Sequence, residues 1–293
     1  MLHRWNSLIE DLNLFIKLAK RHIKKVCSKL KNKRGRPTKH AIEDYMLLLI
    51  AKEEDKKSLR GAEARLSRLI CDERVDHSVI SYWENKRGVT EILNLVVKEL
   101  GINLQNKLGY EFSMVDSTKF SNWYNEEVEF HIVNRIKKGV VYPIGTSLIT
   151  KTVAGPVEEA APNGKGNLYG DAWYDDNKTI GILFGKGYIP IICPNKNRWH
   201  GYYRKKARKL YRSIKNRLGY RQRGRGESIF GSLTNEYGDR IKTLTKIATQ
   251  TRSIARVIVH QVKLIIRIVE KLLGIVRHAQ KIVNFIYPTS LIK

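Results

Sequence analysis

The sequence predicts an α/β protein in which a mixed sheet carries helices packed against it, preceded by a small all-helical module of helix-turn-helix style. Three observations predict this. Over the first hundred or so residues the apolar positions recur at three- and four-residue steps, the period of a helix face. After Gly109 the period drops to two, that of strands. Beyond Tyr169 short strand and helix patterns alternate before the chain turns into basic loop and long helices. The division expected from this change is residues 1–108 for the helical module, with a basic linker near 31–39, and 109–293 for the sheet domain.

In chain order, Leu8, Leu12, Phe15, Ala19, Ile23, Val26 and Leu30 line one face of a first helix. Gly35 and Pro37 break it and leave an extended cationic segment containing Arg34 and Arg36. Three helices are expected before residue 100, over 42–52, 58–71 and 76–86, the last opened by Asp76 as a cap. Three consecutive strands, 110–116, 128–133 and 140–149, read as an antiparallel meander. A glycine-rich loop is expected over 154–166. A short strand ending at Gly170-Asp171, a helix over 175–184 and a strand over 188–193 follow. The order is close to β-β-β-α-β-α-β-α, a five-stranded mixed sheet.

A formal charge of +27 exceeds what solubility requires and points to a polyanionic partner, nucleic acid ahead of an anionic membrane. Residues 195–293 hold 24 Lys and Arg against four acids, so most of the excess lies in the last third. Cys27, Cys71 and Cys193 are odd in number and have neither disulfide nor zinc spacing, which suits a reducing compartment. No signal peptide is read at the N-terminus, and charges interrupt the most apolar stretch, 257–286, so no membrane partner is expected. The expected location is cytoplasmic and nucleoid-associated. The glycines near Asp171 and Glu227 form neither a P-loop nor a dinucleotide fingerprint, so no nucleotide cofactor is expected.

Asp116 and Asp171 each end an apolar strand, and Glu227 opens a helix after a very basic segment. Three carboxylates brought together from three elements are what phosphodiester chemistry with two divalent ions requires. The segments around them, Met114-Val-Asp-Ser-Thr-Lys119, Gly170-Asp-Ala-Trp-Tyr-Asp175 and Tyr220-Arg-Gln-Arg-Gly-Arg-Gly-Glu227, resemble the three acidic motifs of DDE transposases of bacterial insertion sequences. The likeness is to the group with a Tyr-Arg-Glu-Lys signature: Tyr220, Arg223 and Glu227 keep its spacing, and Thr234 stands where it has lysine. The resemblance covers roughly residues 30–270. It implies a ribonuclease H-like catalytic core, with Asp116, Asp171 and Glu227 as catalytic and metal-binding residues for two Mg²⁺, Mn²⁺ substituting. It implies cleavage of element ends followed by 3′-OH strand transfer into target DNA, in a DNA complex with a homodimer. A nuclease of the same fold without strand transfer, and a non-catalytic DNA-binding derivative, are the rival readings.

Double-stranded DNA is the expected partner, held by several groups of side chains. Tyr220 and Arg223 are expected to grip phosphate near the cut, on the helical face of Glu227. Lys196 to Arg225 contain 13 Lys and Arg and no acid, interleaved with aromatic residues; Arg204, Lys205, Lys206, Arg208, Lys209, Arg221 and Arg225 are the expected phosphate contacts. In the helical module Lys86 and Arg87 belong to a polar set that could reach DNA. Arg34-Gly35-Arg36-Pro37 resembles the core of an AT-hook, with an ordinary basic linker as the other reading. Trp173 fits either a buried core position or a base-stacking surface. Asp175 and Asp176 are read as charge complements of a helix N-terminus, and Glu126, Glu127 and Glu129 as a solvated turn. On the last helix Arg256, His260, Lys263, Arg267, Lys271, His278 and Lys281 form a basic stripe, read as a second DNA track or the polar side of a dimer helix.

Overall fold

The computed structural model describes residues 12–30, 38–149, 152–197 and 200–286, with side chains up to residue 271. Arg34, Arg36 and most of the 31–39 linker lie outside the described residues. The helical region comprises α1 (Leu12–Cys27), α2 (Ile42–Glu54), α3 (Leu59–Gly61), a π turn (Ala62–Leu66), α4 (Ser67–Cys71), α5 (His77–Glu84) and α6 (Arg87–Leu108). Asp76 caps α5 as expected, its carboxylate accepting the Ser78 N–H at 2.8 Å. The 22-residue α6 was not anticipated. Gly88 and Gly101 and several β-branched residues weaken its helical signal. Val89, Leu93, Val96, Val97, Leu100 and Leu104, all fully buried, hold it in place.

The sheet contains β1 (Phe112–Ser121), β2 (Glu127–Lys137), β3 (Val140–Ser147), β4 (Gly166–Gly170) and β5 (Tyr188–Ile192) in the order β3-β2-β1-β4-β5. The first three strands are antiparallel, and β4 and β5 join β1 in parallel. This mixed five-stranded sheet flanked by helices is consistent with a ribonuclease H-like α/β fold. Two expectations change. Asp116 lies in the middle of β1 and not at its end, because the β1–β2 ladder continues to Ser121↔Glu127. The expected glycine-rich loop contains α7 (Ala154–Ala160), which lies so close to β3 that a Cβ on Gly145 would sit 1.9 Å from the Ala160 carbonyl oxygen.

After β4 come a 3₁₀ turn (Ala172–Tyr174) and α8 (Asn177–Gly185). After β5 come α9 (Tyr202–Arg212), α10 (Ile214–Tyr220), a second 3₁₀ turn (Arg221–Arg223), α11 (Gly224–Tyr237) and the 41-residue α12 (Lys246–Ile286). α12 runs through the interior. Its Ile254, Val257, Ile258 and Val262 share one hydrophobic cluster with Leu47 and Leu48 of α2, Val97 of α6, Phe130 of β2 and Ile229 of α11. Val115, Val133, Leu168, Ile180 and Leu183 form a second cluster, joining the sheet to α8.

Burial of α12 corrects the reading of its basic stripe. Arg256 and Lys263 are about as buried as the core itself. The Arg256 guanidinium bonds Glu53 at 3.2 Å, and Lys263 lies 2.7 Å from Glu54 and also pairs with Glu236. Arg252 joins the same group, 2.6 Å from Glu53, and Lys52 bridges Glu53 and Glu84. Burial pushes the Glu53 carboxyl up, but Lys52, Arg252 and Arg256 together outweigh it and hold the group at about 2. These cations neutralise the acids of α2, α5 and α11, so Arg256 and Lys263 face neither DNA nor a partner helix; further along the helix Arg267 is half-buried and Lys271 is exposed.

Candidate active site

β1 and β4 set the spacing of the two aspartates. Their parallel register pairs Ser113 with Leu168 and Met114 with Tyr169; carried two residues past the end of that ladder, the same offset aligns Asp116 with Asp171, the residue after β4, and the Asp171 charge acts on the Asp116 carboxyl. Asp116 shares a face of β1 with Met114 and Phe120. α11 packs there so closely that a Cβ on Gly226 would meet the Met114 Cε at 2.7 Å. That contact brings Glu227, in the first turn of α11, over the aspartates.

Each aspartate is fixed by a backbone donor. The Ser117 N–H donates to Asp116 Oδ1 at 2.9 Å, and the Trp173 N–H donates to Asp171 Oδ1 at 3.0 Å. Each second oxygen has no hydrogen bond among the described residues. Burial raises the Asp116 carboxyl above the usual range, and the negative charges of Asp171 and Glu227 raise it further; the Ser117 N–H and Arg223 act in the opposite direction. Arg223 stands between the acids, Nη2 lying 2.9 Å from Glu227 Oε1 and Nη1 lying 3.9 Å from Asp116 Oδ1. Three carboxylates from three elements are a hard-oxygen donor set suited to Mg²⁺ or Mn²⁺, and their mutual repulsion is the electrostatic condition a divalent cation relieves. The triad stands open: among the described residues only Glu63, Asp76 and His77 bring three ligand atoms within 4.8 Å of one another. Glu63 there is already engaged by Arg74 and by both the backbone and ring nitrogens of His77, which makes that group an ion-pair clamp ahead of α5.

Residues 150–262 match the family model described as a transposase DDE domain. The match covers less than half of the chain, contains Asp171 and Glu227, and begins after Asp116. It supports the transposase reading of the acids and, with it, divalent metal use and DNA as partner. No curated protein and no solved structure matches the chain. Among the described residues, no helix is long and apolar enough to cross a membrane.

Tyr220, Arg223 and Glu227 lie along one unbroken run of helical backbone, tightened to a 3₁₀ turn at 221–223, and Arg223 and Glu227 share its face as an i,i+4 pair. Tyr220 is turned inward, its hydroxyl donating to the Gly170 carbonyl at 3.3 Å, which ties α10 to the residue before Asp171. Thr234 bonds the backbone carbonyls of its own helix at Phe230 and Gly231. Lys205, Lys206, Lys209, Arg221, Arg225, Lys86 and Arg87 are exposed, as phosphate contacts must be. Arg208 is half-buried and donates to the Asn195 carbonyl.

Arg204 is a correction. It is 5% exposed, and its Nε and Nη2 donate to the two oxygens of Asp175 at 2.9 and 2.7 Å, so it anchors α9 to the 3₁₀ turn after β4 instead of facing DNA. Asp175 is therefore the partner of a buried ion pair, and only Asp176 complements the α8 N-terminus, accepting the Thr179 N–H at 3.0 Å. Trp173 is not a core residue: it is 36% exposed and its ring stacks on His131 at 5.0 Å. His131 is fully buried, with Nδ1 3.1 Å from the Tyr174 hydroxyl, and burial lowers its pKa to about 4. Nothing in the spacing of these residues marked the His131–Tyr174 pair beforehand, since β2 and the 3₁₀ turn meet only in the fold.

Proposed function

We propose that the protein is a DNA transposase that cuts at the ends of its element and joins the freed 3′-OH to target DNA. Asp116, Asp171 and Glu227 hold two Mg²⁺, for which Mn²⁺ substitutes. The observation that carries this reading is the meeting of Asp116 and Glu227 at Arg223, with Asp171, the residue after β4, aligned with Asp116. Ions held by these carboxylates would supply Lewis-acid activation of the attacking oxygen and neutralise charge on the leaving one. The chain's own part is to hold the carboxylates in advance, through the Ser117 and Trp173 N–H groups, so that little reorganises during reaction. Water attacks the phosphodiester and releases a 3′-OH; that oxygen then attacks a target phosphodiester and displaces a second 3′-OH.

The exposed cations of α9 and of the turn before α11 take the phosphates flanking the cut. Residues 1–108 serve as the end-binding module, where Lys86 and Arg87 reach phosphate at the start of α6, and 109–293 as the catalytic domain. Arg34 and Arg36 add contacts in the linker. The Tyr220-Arg223-Glu227 spacing supports the Tyr-Arg-Glu-Lys group of insertion-sequence enzymes, and two element ends held together call for a homodimer on DNA in the nucleoid. Mg²⁺-dependent nicking of DNA carrying the flanking ends of the protein's own gene tests the reading: wild type cuts and Asp171→Ala does not, while both bind. Binding without cutting by the wild type in either metal sinks it. A joining assay with pre-cut ends and a target plasmid then separates transposase from nuclease.

A further inference from the structure

α10 presents two large aliphatic side chains to solvent, Ile214 at 77% exposure and Leu218 at 55%. Four residues apart, they share one helical face. With Tyr211, Arg217, Tyr220 and Arg221 they line one open depression. The Tyr211 and Tyr220 rings meet edge to face at 5.2 Å, and Tyr220 is bonded to Gly170, so the depression adjoins the Asp171 end of the carboxylate site.

An apolar hollow on such a surface selects its occupant by charge. No acid occurs in the sequence between Asp176 and Glu227, so the segment that builds the depression carries cations only. A second copy of this chain docked face to face would set the same cations against one another. A DNA strand offers both chemistries at once: phosphates for the arginines and flat base faces for the apolar floor. In an intact duplex those faces are stacked away, so the occupant is an unpaired base.

We propose that this depression seats an unstacked nucleobase of a single-stranded DNA end, its face against Tyr211, Ile214 and Leu218, with Arg217 and Arg221 on the adjacent phosphates. The proposal rests on the transposase reading and names the form of DNA its site takes.

The test is fluorescence anisotropy, without divalent metal, on a duplex oligonucleotide with a short 3′ overhang and on the blunt duplex of the same sequence. Wild type binds the overhang duplex about tenfold more tightly, the scale of one stacked base. The exposed double variant Ile214→Ala/Leu218→Ala melts as wild type does, loses that preference, and keeps the affinity and salt dependence for blunt duplex. Equal binding of both DNAs by wild type, an unchanged preference in the variant, or loss of both DNAs alike would each overturn the proposal. Nicking by the wild type in Mg²⁺ separates the two ideas: cutting without overhang preference removes only the base seat, and preference without cutting removes only the enzyme.

Discussion

Arg223 and Glu227 stand one helical turn apart with nitrogen and oxygen 2.9 Å from each other, and the same guanidinium faces Asp116 at 3.9 Å. The acids proposed to bind metal thus already hold a cation, with which a divalent ion would compete. Arg223→Ala is expected to lower the Mn²⁺ concentration for half-saturation by roughly threefold, the scale of a partly exposed ion pair. Calorimetric titration of Mn²⁺ into both proteins measures it; unchanged or weaker binding in the variant would show that Arg223 does not occupy the ions' place.

Asp116 carries charge in a buried site beside two other acids, which raises its carboxyl. A raised folded value means the ionised form is disfavoured in the folded protein at neutral pH. Asp116→Asn should therefore stabilise the protein by about 1 kcal/mol, or roughly 2 °C in Tm, while abolishing nicking. A variant that melts lower than wild type contradicts this.

Lys263 lies buried between Glu54 and Glu236. Removing it strands two carboxylates without a cation, and Lys263→Met is expected to cost about 3–5 kcal/mol in urea unfolding. Adding Glu54→Gln and Glu236→Gln should restore most of the loss. If the triple variant is no more stable than the single one, the lysine acts through packing and not charge.

Acid stability should show two steps. His131, ordinary value 6.5, is lowered to about 4 by burial; the unfolded chain takes a proton the folded one refuses, so stability present above 6.5 is lost as pH falls towards 4. Glu53, held at about 2, contributes stability above 4.5 that is lost as pH falls below it. Denaturation free energy measured from pH 7.5 to 3 should slope accordingly. Burial lowers His260 to about 4 as well, so His131→Phe should reduce the upper step without removing it and leave the lower one.

Neighbouring arginines and lysines of α9 should part company. Arg204→Ala breaks a buried bidentate pair with Asp175 and is expected to cost about 3–5 kcal/mol in stability. Lys205→Ala/Lys206→Ala/Lys209→Ala should leave stability unchanged and reduce the slope of log affinity for DNA against log salt by about 3. An unchanged salt slope would take α9 off the DNA.

That contrast shows where the sequence was legible. Asp116, Asp171 and Glu227 could be singled out because each sits in a short motif whose spacing survives in one dimension. Arg204 could not, since its partner Asp175 lies 29 residues away and a run of cations gives no sign of which one turns inward. The α12 stripe failed for the same reason at greater range: Glu53 is 203 residues from Arg256. Period-two patterning found the first three strands, and short apolar segments the last two. It ended β1 at Asp116 because the polar residues beyond, Ser117 to Lys119, break the apolar alternation while the β2 ladder continues. α6 was hidden by its own glycines and β-branched residues, which suit its packing and blur its period.

The interior position of α12 fixes an order of events during synthesis. Leu47 and Leu48 of α2 leave the ribosome long before Lys246, the first residue of the helix that shares their core. The helical region therefore cannot finish folding as a separate unit ahead of the sheet; it waits, apolar face uncovered, until the C-terminal third arrives. A chain cut short before α12 would be a client for chaperones and proteases instead of a free DNA-binding fragment.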